Sequence, residues 1–292
     1  MCDQDAFQDM IEHLRRNDAL TRRGFGAAAL GVGLSAALPR VANAAEVVEQ
    51  DVEIRTSAGT ADAFFVHPRR GKAPAVLVWT DIFGLRPAFR QMGRRLAESG
   101  YSVLVPNPFY RLQRAPTSKP GADFNDPETR NRLMAQMGSL NADTAAVDAQ
   151  AFITWLDGQS AVDRKRRMAT TGYCMGGPLV MRTAAARPDR VGAGASFHGG
   201  GLVTDKPDSP HLLVPRMKAQ VLIAIAANDD ERDPNAKVAL KAAFEQANLP
   251  AEIEVYAGTK HGWCPPDAAV YDEAQAERAW ARMLELFHRA LA

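Results

Sequence analysis

A glycine-flanked cysteine between an apolar stretch and an alanine-rich stretch constrains this chain more than any other feature. Residues 168–174 end in Gly172-x-Cys174, and two further glycines precede the alanine-rich residues 178–186. A strand, a one-residue turn and a helix in this order form a nucleophile elbow, with the reactive side chain at the tip. A side chain at Gly172 or Gly176 would crowd the backbone where strand and helix pass each other. The pattern predicts Cys174 as a nucleophile, and a buried cysteine in an ordinary strand–helix turn is the alternative.

The first 44 residues carry the pattern of an export signal. The adjacent Arg22 and Arg23 precede the uncharged stretch 26–39, and the small residues 42–44 follow as a cleavage site. Paired arginines resemble a twin-arginine signal, so we expect the twin-arginine (Tat) export machinery as a partner and a periplasmic mature protein. The uncharged stretch is shorter than the roughly 18 residues that span a bilayer, so no stable membrane insertion of the mature chain is expected. An amphipathic or disordered N-terminus is the alternative.

Residues 45–292 alternate strand and helix patterns, which predicts one α/β domain. We expect a mostly parallel central sheet with helices on both faces, preceded by an antiparallel hairpin turning at 57–59. Ligands of such sheets bind beyond the carboxyl ends of the strands. The predicted strands are 46–56, 61–67, 75–79, 102–106, 168–174, 191–197, 221–226 and 252–256. The predicted helices are 87–98, 126–137, 142–156, 178–186, 234–247 and 268–291.

Charge and motif content exclude several classes of function. Lysine plus arginine number 35 against 34 acidic residues, so no basic excess predicts nucleic acid as a partner. The sequence has no Cys-x-x-Cys or His-x-x-x-His spacing and no glycine-rich phosphate loop after a strand. We therefore expect neither a metal nor a cofactor.

A thiol nucleophile needs a base, and the base needs an acid that orients it. His261 follows the last predicted strand in a glycine-flanked loop, while His198 follows another strand and is the alternative base. The chain order nucleophile, acid, base is that of the α/β-hydrolases and favours His261. The acid is expected after the strand at 221–226, where Asp229 is the first choice and Asp230 the alternative.

A fourth motif, Asp81-Ile82-Phe83-Gly84, follows the strand at 75–79. With it, the chain resembles the dienelactone hydrolase family of α/β-hydrolases from about residue 47 to the C-terminus. The resemblance implies Cys174 as nucleophile, His261 as base, Asp229 as acid, and the N–H groups of Ile82 and Met175 as oxyanion donors. In that family a glutamate before Ile-Phe-Gly holds the resting thiol. Here Asp81 stands in its place, one methylene shorter, and capping of the following turn is the alternative for it.

The resemblance also implies two arginines that bind a substrate carboxylate. Arg132, with Arg130 as its neighbour, matches the first place, and a solvated helix face is the alternative for both. At the second place, after His261, no arginine is present. This departure argues against dienelactone itself as substrate, and Trp263 with Phe83 suggests a more apolar pocket, although either could belong to the core.

Together these residues predict a periplasmic cysteine hydrolase of small carboxylic esters or lactones. A thiol-dependent transferase or peptidase would use the same residues. A non-catalytic binding or scaffold protein on a hydrolase fold is the alternative from another class, since a fold does not fix a function. A disulfide between Cys174 and Cys264, possible in an oxidising compartment, would favour that alternative.

Overall fold

An eight-stranded sheet forms the centre of the computed structural model, which describes residues 38–39 and 44–292. The strands are β1 (Val47–Thr56), β2 (Gly59–Pro68), β3 (Ala75–Trp79), β4 (Ser102–Pro106), β5 (Met168–Tyr173), β6 (Val191–Phe197), β7 (Gln220–Ala226) and β8 (Ala251–Tyr256). Their order across the sheet is β1-β2-β4-β3-β5-β6-β7-β8. β2 pairs antiparallel with β1 and β4, and all other neighbours pair in parallel. The predicted hairpin and mostly parallel sheet are confirmed, while the export signal predicted at 1–44 lies almost wholly outside the described residues.

Helices cover both faces of the sheet, as predicted. They are α1 (Pro87–Glu98), α2 (Pro127–Met137), α3 (Ala142–Asp157), α4 (Gly176–Ala186), α5 (Ala227–Arg232), α6 (Pro234–Gln246) and α7 (Glu273–Ala290), with a 3-10 helix at Pro210–Arg216. The last helix begins at Glu273 rather than at the predicted 268, because the Asp272 side chain accepts from the Gln275 backbone N–H and caps it there. In the described part of the chain, no helix is both long and apolar enough to cross a membrane.

Two separate cores lie on the two faces of the sheet. Successive side chains of a strand point to opposite faces. In β3, Ala75, Leu77 and Trp79 therefore enter one core, while Val76 and Val78 enter the other. The first core packs against α2, α3, α4 and α6, and the second against α1 and α7. Burial on both faces explains why β3 is apolar throughout.

Helix α3 shows how local sequence and core packing act together. At its start, Asn141 and Thr144 form a reciprocal capping box, with bonds of 2.9 and 2.8 Å. Phe152 is 0% exposed and contacts the ring of Trp79, with centroids 5.8 Å apart. Val147, on the opposite face of the helix, is 39% exposed. The cap defines where α3 begins, and Phe152 attaches it to the sheet.

Charged residues line both edge strands. On β8, Glu254 pairs with Arg278 and Glu252 pairs with Arg282, both arginines belonging to α7. On β1, acidic side chains pair with arginines from outside the strand: Glu49 with Arg94, Asp51 with Arg90, and Glu53 with Arg114. The outermost strands therefore carry ionic side chains along their length.

Replacing Phe152 with alanine tests the packing of α3. We expect Phe152→Ala to lower the free energy of unfolding by about 3–5 kcal/mol, because it leaves a cavity in the first core. Val147→Ala, in the same helix but half-exposed, should change it by less than about 0.5 kcal/mol. Urea unfolding followed by circular dichroism measures both values. Similar losses for the two variants would contradict the orientation of the helix described here.

Candidate active site

Cys174 lies at the tip of a sharp turn between β5 and α4. Its φ angle is 53°, in the left-handed region that residues other than glycine seldom adopt. A Cβ atom on Gly172 would lie 2.1 Å from the Gly176 carbonyl oxygen, and one on Gly176 would lie 2.6 Å from the Trp79 carbonyl oxygen. The strand, the helix and β3 can approach this closely only because both positions are glycine. The predicted strand–turn–helix is confirmed, with the cysteine 6% exposed at its tip.

His261 is joined to Asp229 by a hydrogen bond of 2.7 Å between Nδ1 and Oδ2. A carboxylate only accepts, so Nδ1 carries the proton and Nε2 is left as the basic nitrogen. The backbone N–H of His261 donates to Asn228 Oδ1 at 2.8 Å, which attaches the histidine loop to the start of α5. Arg232 lies 3.2 Å from the other oxygen of Asp229. The imidazole is therefore oriented through both its ring and its backbone.

The surroundings make the imidazole of His261 a stronger base and the carboxyl group of Asp229 a stronger acid. Burial opposes ionisation of Asp229, but the neighbouring His261 outweighs burial and lowers the pKa of the carboxyl group. Burial likewise opposes protonation of His261, but the Asp229 carboxylate and then the nearby Cys174 raise the pKa of the imidazole well above 6.5. Nε2 is buried and has no aligned hydrogen-bond partner among the residues that the structure describes. Hydrogen bonds between a catalytic base and its nucleophile are often long or poorly aligned before substrate binds, and they tighten when it does.

The two alternative residues have other partners. Asp230 forms an ion pair of 2.6 Å with Lys237, so of the two aspartates it is Asp229 that contacts the imidazole of His261. His198 accepts a hydrogen bond of 3.1 Å from the backbone N–H of Cys174 through Nδ1. Burial, together with His261 nearby, lowers the pKa of His198 well below 6.5, so it is a neutral ring. Its centroid lies 5.1 Å from that of His261.

The segment after β3 forms a tight turn beside the cysteine. The Gly84 N–H donates to the Asp81 carbonyl at 3.0 Å, and the Phe83 N–H donates to Asp81 Oδ1 at 2.9 Å. In the described chain, the backbone N–H groups of Ile82 and Met175 donate to no protein acceptor. Both groups, which were the predicted oxyanion donors, are therefore available to an oxygen atom of a ligand.

Asp81 is bound by Arg86 and not by the thiol. Arg86 Nη1 lies 2.6 Å from Oδ1, and Nη2 lies 2.9 Å from Oδ2. Among the residues that the structure describes, Cys174 is not a hydrogen-bond partner of this carboxylate. The contact that the resemblance implied for this position is therefore not formed. A shorter side chain and a cation within reach explain the difference, and the bond to the Phe83 N–H matches the alternative role as a turn cap.

The predicted substrate-binding residues occupy different environments. Phe83 is half-buried and packs against the first core. Trp263 is 0% exposed and stacks on Tyr256, with centroids 4.8 Å apart, which is the environment of a core residue. Arg132 is half-buried in α2, and within the described part of the chain its Nε has no hydrogen-bond partner. Of the three, Phe83 and Arg132 remain partly accessible.

The cysteines at 174 and 264 are both free, so the disulfide considered above is not present. Burial raises the pKa of the Cys264 thiol well above its usual range. Within residues 38–39 and 44–292, no group of three or more His, Cys, Asp or Glu side chains is arranged to hold a metal ion.

Sequence reasoning missed two interactions of the site. Asn228, which accepts from the backbone of His261, precedes the predicted acid and has no motif of its own. Arg86 contacts Asp81 and also Asp267, which is 181 positions away in the chain. Only the position of Arg86 five residues after Asp81, next to the recognised motif, could have suggested a local role.

Comparison with known proteins identifies relatives over most of the chain. The profile of the dienelactone hydrolase family matches residues 61–291. The carboxymethylenebutenolidase of Rhodococcus opacus is 27% identical over 230 residues, which are 76% of this chain and 83% of that protein.

Solved structures agree with the fold. A dienelactone hydrolase-like promiscuous phosphotriesterase from metagenomic libraries superposes with a TM-score of 0.70 at 21% identity, over 84% of this chain and 99% of that chain. The dienelactone hydrolase of Anabaena variabilis superposes with a TM-score of 0.60 at 19% identity, again over 84% of this chain and 99% of that chain.

A single methyl group at Gly172 tests the close crossing of β5 and α4. We expect Gly172→Ala to destabilise the protein by about 1–3 kcal/mol or more, because backbone atoms of Gly176 occupy the space needed. Gly200→Ala is the matched control, since a Cβ there meets nothing within 4 Å. Thermal unfolding compares the variants with the native chain. A stable Gly172→Ala variant would show that the crossing is looser than described.

Proposed function

The chain belongs to the dienelactone hydrolase family, and we propose that it hydrolyses small carboxylic esters or lactones with a Cys174–His261–Asp229 triad. The observation that carries this proposal is the 2.7 Å bond between buried Asp229 and Nδ1 of His261, an imidazole whose pKa the nearby Cys174 also raises. The name of the Rhodococcus opacus relative, a carboxymethylenebutenolidase, supports the lactone class.

Acylation begins when His261 Nε2 takes the thiol proton of Cys174. The sulfur attacks the substrate carbonyl carbon, and the carbonyl oxygen becomes an oxyanion between the N–H groups of Ile82 and Met175. Each such donor contributes about 10²–10³ in rate in related sites. The tetrahedral species then expels the alkoxide, which receives the proton from His261, and a thioester remains on Cys174. Asp229 stabilises the imidazolium throughout this step.

Deacylation uses the same groups with water. His261 Nε2 removes a proton from a water molecule, and the hydroxide attacks the thioester carbon beneath the same two amides. The sulfur leaves as thiolate and regains its proton from His261, while the carboxylic acid departs. The net reaction consumes one ester bond and one water, and it restores the thiol.

We assign the removal of the thiol proton to His261, because the other candidate base near Cys174, the Asp81 carboxylate, is already paired with an arginine. Arg86 binds both oxygens of Asp81, so this carboxylate is poorly suited to accept the thiol proton. The loop after His261 also lacks the arginine that would bind a second oxygen of a substrate carboxylate. An ester with an uncharged, apolar acyl or alcohol group therefore suits the site better than dienelactone, with Phe83 as its apolar contact.

Substitution of the triad tests the proposed chemistry on 4-nitrophenyl acetate. Cys174→Ala should abolish the enzyme-dependent rate. Asp229→Asn should lower kcat/KM about 100-fold or more, because the imidazole loses the carboxylate that orients it and stabilises its charge.

Asp230→Asn is the control for the acid, because Asp230 pairs with Lys237 instead of His261. Its kcat/KM should stay within about threefold of the native value, as expected for a substitution outside the reacting groups. Native activity in Cys174→Ala, or equal losses in the two aspartate variants, would contradict the triad.

We also propose that the chain is exported to the periplasm in a folded state. The arginine pair at 22–23, the uncharged stretch and the small-residue site at 42–44 support this. Changing Arg22 and Arg23 together to lysine should retain the protein in the cytoplasmic fraction, while the native chain appears shortened in the periplasmic fraction. Immunoblotting of cell fractions measures this, and an equal distribution of the two forms would contradict the proposed route.

A further inference from the structure

We propose that Arg86 is a positioning residue that fixes two segments relative to each other. They are the turn at 81–84, which carries the Ile82 N–H, and the loop at 261–267, which carries the imidazole. It does so by binding Asp81 of the first and Asp267 of the second. This inference rests on the proposed hydrolase function, because it assigns a role in placing the oxyanion donor and the base. Arg86 itself contacts no reacting atom.

Every N–H group of Arg86 has an acceptor. A guanidinium has five N–H donors in a rigid planar fork. Two donate to Asp81, from Nη1 and Nη2 at 2.6 and 2.9 Å, and two donate to Asp267, from Nε and Nη2 at 2.6 and 2.9 Å. The remaining Nη1 proton points to the Gly84 carbonyl at 3.4 Å. No donor is left for a substrate carboxylate, so Arg86 is saturated by the protein.

The two carboxylates belong to different parts of the site. Asp81 closes the turn that presents the Ile82 N–H, through its own bond to the Phe83 N–H. Asp267 lies six residues after His261 in the loop that carries the imidazole. These residues are far apart in the chain, and Arg86 bridges them directly.

The Arg86–Asp81 half of the bridge is shielded from solvent, while Asp267 is an exposed residue. The Arg86 side chain is 12% exposed. Its guanidinium lies over the rings of Phe89 and Phe83, 4.9 and 5.5 Å from their centroids. Burial alone would lower the pKa of Arg86, but Asp81 and Asp267 outweigh burial and raise it. The shielded Arg86–Asp81 pair is little weakened by water and salt. The Arg86–Asp267 pair is more open to solvent and is held by two hydrogen bonds, from Nε and Nη2.

The loop bearing Asp267 transmits this restraint to the histidine. The Ala268 N–H donates to the Pro265 carbonyl at 3.0 Å, and the Asp272 N–H donates to the Trp263 carbonyl at 3.1 Å. A segment closed on itself in this way moves as a unit. Fixing Asp267 therefore limits the displacement of His261, while fixing Asp81 limits that of Ile82.

The test uses the full chain with Arg86→Met and 4-nitrophenyl acetate as substrate. We expect kcat to fall about 10- to 100-fold, because a displacement near 1 Å has effects of this size. KM should change less than about threefold, since the interactions lost matter chiefly in the transition state. Arg86→Lys should recover part of kcat, because it keeps the charge and loses the fork.

A double substitution isolates the bridge to the histidine loop. If Arg86 acts through Asp267, the variant Arg86→Met with Asp267→Asn should lose no more kcat than Arg86→Met alone. Arg90→Met is the matched control, because it removes an exposed ion pair with Asp51 from α1, the helix that begins directly after Arg86. Its kcat should stay within about twofold of the native value. If Arg86→Met does not fold, kcat is compared between Arg86→Lys, Asp267→Asn and the variant that combines them.

The outcomes separate this inference from the proposed function. Unchanged kcat with lowered stability would make Arg86 merely structural, and a raised KM at constant kcat would make it a substrate ligand. Either result overturns the proposal. Should the native chain not hydrolyse esters, the rate of Cys174 alkylation by iodoacetamide, followed by peptide mass spectrometry, decides the matter. Arg86→Met should then react about tenfold more slowly, because the imidazole no longer activates the thiol, and an equal rate would overturn the inference.

Discussion

The crossing of β5 and α4 is the contact on which the rest of the site depends. Gly172 and Gly176 let two backbones pass at a separation that no side chain permits. Gly176 also lies against the carbonyl groups at the end of β3, so the turn carrying Ile82 is brought beside the cysteine. The left-handed conformation of Cys174 follows from this crossing. One close approach thus determines where the nucleophile and both candidate oxyanion donors lie.

Two neighbouring histidines acquire opposite electrostatic characters from their surroundings. His261 faces a carboxylate, whereas His198 is fully enclosed and accepts a backbone N–H. The pKa of the first is raised and that of the second is lowered, although their rings nearly touch. Placing a charge on both at once would require two cations in one buried volume. The arrangement therefore reserves protonation for the ring that adjoins the thiol.

Features encoded locally could be predicted from the sequence, and features that join distant segments could not. The hairpin followed from alternating residues, and the elbow followed from glycine spacing. The predicted helices did not include Ala227–Arg232, which forms a short helix favoured by acidic residues near its start.

The contacts of Asp81 could not be anticipated in the same way. Its partner Arg86 is near in sequence, but the geometry of that pair depends on Asp267 at the other end of the chain. The packing of Trp263 likewise depends on Tyr256 and on the second core. A tryptophan at this position could therefore not be assigned to the core or to a substrate pocket from the sequence.

The ionic side chains on the outermost strands bear on how this protein behaves in a crowded compartment. An uncovered strand edge is a template on which another chain can add a strand. Along β8, Arg278 and Arg282 of α7 pair with Glu254 and Glu252. An incoming strand would have to displace or desolvate these pairs. Strand addition at this edge is thereby disfavoured.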